Sequence, residues 1–198
     1  MKLEDYIKEN LYESSIVKKH TFSSCWQDIK AASLAVVEIY YKKGGTVFLI
    51  GNGGSAADAQ HIAGELFSIF HLHRIPLSAN ALTTDTSVLT SISNDLGYEY
   101  IFSRQLEALA TPKDLVIGLS ASGNSMNVIN GIKLAKSRGI KTVVLTGKNG
   151  GELAKIADIV IKVPSDDVAR IQEVHTTVGH IICGIVEETL FGGKGFNG

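Results

Sequence analysis

The chain has 198 residues, 44% hydrophobic and 20% charged, with 19 Lys and Arg against 20 Asp and Glu. One globular domain fits this length, since domains cluster at about 100–200 residues, and the composition excludes disordered, fibrous and repeat classes. A net charge of −1 lacks the clustered basic excess of a nucleic-acid face, so no nucleic-acid partner is expected and local geometry must hold any anionic ligand.

The start, MKLEDYIKEN, carries acids and no apolar segment, which does not read as a signal peptide. No run of about 18 apolar residues occurs, so no membrane span is expected. Cys25 and Cys183 stand far apart in no metal-like spacing, which predicts reduced thiols and a cytoplasmic protein. Residues 3–43 read as a pair of helices broken near Thr21–Ser24. The second carries Ile29, Ala32, Leu34, Val36, Val37, Ile39 and Tyr40, more than one apolar stripe, which predicts packing in an oligomer. Gly44 and Gly45 signal its end.

The pattern then changes to short apolar runs at Thr46–Ile50, Leu77–Leu82, Leu115–Leu119, Lys141–Thr146 and Ile159–Val163, with helical stretches between. Uncharged, β-branched or aliphatic strands of this kind predict a parallel sheet covered on both faces. A helix from Asp166 to Phe191 follows, with Ser165 able to cap it, and residues 192–198 read as a frayed polar tail. The expected architecture is one α/β domain over 1–198, with a core and C-terminal helix over 44–191.

Ligands of open parallel sheets bind beyond the carboxyl ends of the strands. Three such ends stand out: Gly51-Asn52-Gly53-Gly54-Ser55, Thr83-Thr84-Asp85-Thr86-Ser87 and Ser120-Ala121-Ser122-Gly123-Asn124-Ser125. Each precedes a helix, where free N–H groups favour an anion. Gly51, Gly53 and Ala56 match a dinucleotide fingerprint, but its acid would have to be Asp85, which comes too late, and no G-K-[ST] follows. Three serines and a glycine in the third loop instead make a cup for a phosphate monoester. A single helix cap needs one such residue, not four polar side chains.

His61 and Glu65 stand at i and i+4, on one face of the helix after the glycine loop. Their bland reading is a surface contact. Gln172 and His180 are eight positions apart, about 12 Å of rise and roughly 80° of rotation. They meet at one ion only by stretching toward each other or by coming from different protomers, and the spacing leaves both open. A lone His180 reads equally as a core histidine. His20, His71 and His73 read as solvent histidines. Asp95 either caps a helix near Tyr98 or, with Asn94, grips sugar hydroxyls.

With these residues laid out, the sequence resembles the sugar isomerase (SIS) domain family and, within it, the phosphoheptose isomerases. The resemblance rests on Gly51–Ser55, Asp58-Ala59-Gln60-His61, Ser93-Asn94-Asp95, Phe102-Ser103-Arg104-Gln105, Ser120–Ser125 and Ala169–His175, and it runs to about Phe191. It implies a flavodoxin-like three-layer sandwich with a five-stranded parallel sheet, a homotetramer, and sites between subunits. It implies sugar-phosphate contacts at Asn52, Gly53, Gly54, Ser55, Glu65, Asn94, Asp95, Ser120, Ala121, Ser122, Ser125 and Gln172. It further implies one zinc per subunit at His61, Glu65, Gln172 and His180, a donor set that suits zinc. Glu65 and His180 would act as acid and base on sedoheptulose 7-phosphate, in heptose precursor synthesis for lipopolysaccharide or capsule. A non-enzymatic branch binds the replication initiator and resembles Leu82–Asp85 with Leu190-Phe191, but it lacks the acid and histidine found here at 65 and 180. A sugar-phosphate sensor is the remaining alternative. Ala121 departs from the family, where hydroxyl residues are common at that place.

Overall fold

The computed structural model describes residues 2–193. Five strands, β1 (Val47–Gly51), β2 (Ala79–Ala81), β3 (Leu115–Ser120), β4 (Lys141–Thr146) and β5 (Ile159–Lys162), form one parallel sheet in the order β2-β1-β3-β4-β5. This is the flavodoxin-like order, whose switch point lies between β1 and β3. The helices are α1 (Leu3–Glu38), α2 (Gly54–Phe67), α3 (Thr86–Asp95), α4 (Ile101–Leu109), α5 (Met126–Ser137), α6 (Leu153–Ile156) and α7 (Val168–Phe191).

Strand alternation divides the core in two. Val47, Leu49, Leu115, Ile117, Val143 and Leu145 point to the layer of α1, α2 and α7. Phe48, Ile50, Val116 and Val144 point to the layer of α4, α5 and α6. Both faces of the sheet are thus covered, which is why the middles of its central strands are apolar.

The sequence expectations hold for a five-stranded parallel sheet and fail at two helix boundaries and in the length of one strand. The N-terminal helical pair is one continuous helix of 36 residues. Thr21 and Ser24, read as a break, donate their hydroxyls to the carbonyls of Val17 and His20 at 2.8 and 2.9 Å. Hydroxyls bonded back within the helix leave its own hydrogen bonds in place. A π-helical turn, Ile39–Lys43, then ends at left-handed Gly44. At the other end α7 starts at Val168, and Asp167 rather than Ser165 caps it, accepting from the N–H groups of Ala169 and Arg170. The run 77–82 shortens to three strand residues, and Leu77 at its start donates to the carbonyl of Leu66 rather than to β1. Most of the expected tail, 194–198, lies outside the described residues.

Candidate active site

The loops after β1 and β3 flank the switch point, and helix N-termini follow both. Asn52 is held by a reciprocal amide pair with Asn127 at the start of α5, both bonds at 2.8 Å, and it accepts from the Tyr98 hydroxyl at 2.9 Å. Gly54 opens α2 against Gln172 of α7. A Cβ there would lie 2.7 Å from both amide heteroatoms of Gln172, so glycine leaves that side chain room in its present position.

In the serine loop the Ser120 and Ser125 hydroxyls meet at 2.9 Å. Ser125 occupies the N-cap position of α5 without bonding its hydroxyl into the helix, so both oxygens stay at the cup. Ser122 accepts from the N–H of Asn124 at 3.1 Å. A second glycine cluster, Gly147-Lys148-Asn149-Gly150-Gly151, braces the loop from outside. Gly147 donates to the Ala121 carbonyl at 2.9 Å, Leu153 to the Gly123 carbonyl at 3.0 Å, and Glu152 to the Asn124 side chain at 3.0 Å. Gly123 is left-handed (φ 68°), and a Cβ on it would lie 2.1 Å from the Gly150 carbonyl oxygen. This brace went unread in the sequence, although Gly147, Gly150 and Gly151 sit at a strand end like the other loops.

Further along the α2–α7 pair, His61 Nε2 and His180 Nε2 stand 2.7 Å apart, and the Glu65 carboxylate reaches His61 Nε2 at 3.6 Å. One ligating atom from each of these three residues falls within 4.8 Å of the others. Two imidazoles can share such a contact only if one donates. The same convergence of two nitrogens and a carboxylate oxygen fits zinc, whose tetrahedral nitrogen ligands lie roughly 3.3 Å apart at bond lengths of about 2.0–2.1 Å. The rings need part only slightly to admit an ion. Gln172 lies beside Gly54, at the start of α2, whereas His180 lies beside His61; the two are about 12 Å apart along α7.

Asn94 and Asp95 end α3 on the surface, and Asn94 donates to Asp95 at 2.8 Å. Neither caps the short 3-10 turn Tyr98–Tyr100, which starts at Gly97 without a side-chain cap. Asp85, weighed above for a ribose contact, is the N-cap of α3 and accepts from Val88 N–H at 3.0 Å. Ser55 is buried at the foot of α2.

Three polar groups around the cluster, half-buried Asp58 and buried His175 and Glu187, find partners that are remote in the chain. Burial raises the pKa of Asp58 despite the 2.7 Å bond it accepts from Thr176 of α7. His175 is fully buried with Nε2 at 3.3 Å from the Thr146 carbonyl, and burial pushes its pKa down to about 4. Burial works to raise the pKa of Glu187, but the N–H groups of His71, Leu72 and Phe70, together with Arg74, outweigh it and hold the carboxyl below the usual carboxylate range.

A profile of the SIS domain matches residues 12–147. The phosphoheptose isomerase of Aneurinibacillus thermoaerophilus is 48% identical over 194 residues, 97% of this chain and 98% of that protein. Among solved structures, phosphoheptose isomerase GmhA from Neisseria gonorrhoeae superposes with a TM-score of 0.89 at 36% identity, covering 94% of this chain and 100% of its own. A phosphoheptose isomerase from Francisella tularensis gives 0.91 at 34% identity over 95% and 100%.

Proposed function

The chain belongs to the SIS-domain family and, within it, to the phosphoheptose isomerases, and from that premise we propose that it interconverts sedoheptulose 7-phosphate and D-glycero-D-manno-heptose 7-phosphate. The observation that carries this reading is the convergence of His61, Glu65 and His180 on the same helix pair that borders the serine cup.

The serine loop and the start of α5 take the phosphate, with Ser120, Ser122 and Ser125 donating hydroxyls and the helix N-terminus favouring the charge. Asn52, Gly53, Gly54, Ser55, Ala121 and Gln172 line the approach, and Asn94 and Asp95 take sugar hydroxyls. From Gly54 to His61 is about 10 Å along α2. An extended chain advances roughly 1.2 Å per bond, so the carbonyl end of a seven-carbon phosphate lies about 8–10 Å from phosphorus. Binding energy from the phosphate can therefore hold C1 and C2 at the Glu65–His180 pair.

Isomerisation removes a proton from C1, passes through a 1,2-enediolate, and returns a proton to C2 while the hydroxyl proton moves from O1 to O2. Glu65 and His180 perform these transfers between them. His61, Glu65 and His180 would hold a zinc ion, which when bound supplies Lewis-acid polarisation of the carbonyl oxygen. Within one protomer Gln172 serves the cup; service to the ion calls for a neighbouring protomer.

The groove between α1 and α7, about 740 Å³ and lined by Phe22, Trp26, Ile29, Leu34, Val178 and Ile181, supports a homotetramer through this face. Among the described residues no helix is long and apolar enough to cross a membrane, and a phosphorylated sugar substrate is consistent with the cytoplasm. The product suits heptose precursor synthesis for surface polysaccharide.

The test is a proton NMR time course with sedoheptulose 7-phosphate in D₂O. An aldoheptose anomeric signal, with deuterium at C2, is expected. Absence of conversion, with and without added zinc, overturns the isomerase and leaves a binding or sensing protein.

A further inference from the structure

Residues 68–78, between α2 and β2, carry no regular structure apart from bends, yet they are tied to α7 at one point. The Glu187 carboxylate accepts from the N–H groups of Phe70, His71 and Leu72 at 3.4, 2.7 and 3.1 Å and from Arg74 Nε at 2.9 Å. The guanidinium then turns back onto α2, donating to the carbonyls of Leu66 and Glu65 at 2.9 Å each. Both side chains of the ion pair are almost fully buried, with 1% and 2% exposure. A buried pair contributes little net stability, because desolvation opposes its attraction. What this one secures is geometry. The gathered segment lays the Phe70 ring against the His180 imidazole, centroids 5.7 Å apart and planes inclined by 29°. Gly184, one turn on from His180, faces the same ring, its Cβ position in ordinary contact 3.5 Å from Phe70 Cε1.

We propose that Phe70, Glu187 and Arg74 are positioning residues for the Glu65–His180 pair. Phe70 sets the plane of the His180 imidazole, and the Glu187–Arg74 pair fixes both Phe70 and the backbone of Glu65. Glu187 and Arg74 touch neither His61 nor the serine cup in the hydrogen-bond pattern of the described residues, so they act through the pair they hold. The kinetic part rests on the isomerase reading; the geometric part does not.

The test uses the full chain with Phe70→Leu, Phe70→Tyr and Glu187→Gln. In wild type, the ring-proton shifts and Overhauser contacts of His180 should show its imidazole in one fixed orientation beside Phe70. Phe70→Leu should average that orientation and lower kcat by roughly ten- to a hundredfold, the usual loss when a partner that orients a site residue is removed. KM should stay unchanged, because the phosphate cup is untouched. Phe70→Tyr restores both the signature and kcat. Glu187→Gln should follow Phe70→Leu; should it fail to fold, Phe70→Leu decides, since it leaves the ion pair intact. Wild-type kcat in Phe70→Leu overturns the proposal, and so does a lower kcat with an unchanged His180 signature. If the wild-type chain converts no sugar phosphate, the isomerase reading fails, and the His180 signature in Phe70→Leu alone upholds or overturns the positioning.

Discussion

The serine cup and the His61–Glu65–His180 cluster lie along one helix pair but are held in different ways. The cup is a backbone object: its loop is bonded through main-chain N–H and carbonyl groups to the turn after β4, and Gly123 packs directly on Gly150. The cluster is a side-chain object, in which three groups from two helices meet and a tethered loop lays Phe70 against one of them. A phosphate is the same group before and after reaction, so a rigid cup suits it. Moving a proton between two carbons asks for side chains that can exchange it, and these are stiffened from behind rather than fixed in the chain.

The largest effect expected from this division comes at the cluster. Glu65→Gln and His180→Gln should each lower kcat by about 10²–10⁴-fold, the usual contribution of a positioned acid or base. The fold should survive, because the Glu65 side chain is 23% exposed and His180 is only half-buried. Steady-state kinetics beside circular dichroism measures both. Near wild-type turnover in either variant removes that residue from the proton transfers.

A different signature is expected at the cup. Ser120→Ala or Ser125→Ala deletes one hydrogen bond to a charged group, each about 1.5–3 kcal/mol, or roughly ten- to a hundredfold in affinity. KM for the sugar phosphate should rise by that order, and kcat should change less. A collapse of kcat at constant KM would place the serines at the reacting end and invert the comparison.

How far each region was legible follows from the same contrast. The cup is written in contiguous motifs, Gly51–Ser55 and Ser120–Ser125, each at the end of a strand whose apolar run was plain, so the fold and a candidate site could be read together. His61 and His180 are 119 positions apart, and Asn52 and Asn127 are 75 apart. No spacing rule joins such pairs; family resemblance supplied the first, and the second was not foreseen. The same reason hid Glu187: it looks like one more charge near a helix end until residues 70–74 fold onto it. The α1 break failed on a local point, since Thr21 and Ser24 weaken helices on average but are satisfied there by carbonyls one turn back.

The smallest effect belongs to the joint between the two regions. His175 sits on α7 between Gln172, beside Gly54, and His180, in the cluster, and bonds the Thr146 carbonyl at the end of β4. A carbonyl only accepts, so Nε2 carries the proton, and the buried Nδ1 has no partner among the described residues. A second proton there would bury a charge, which is why the pKa falls from 6.5 to about 4. Between those values the unfolded chain binds more protons than the folded one, so stability is full above about pH 6.5 and is lost as pH falls toward 4. The loss from this group is about 3 kcal/mol at most, at 1.36 kcal/mol per unit. Urea denaturation at pH 7.5 and pH 5 should therefore show a drop that His175→Gln reduces, since glutamine can donate to Thr146 without titrating. An equal drop in both proteins assigns the acid sensitivity to other groups and leaves His175 as a neutral peg between α7 and the sheet.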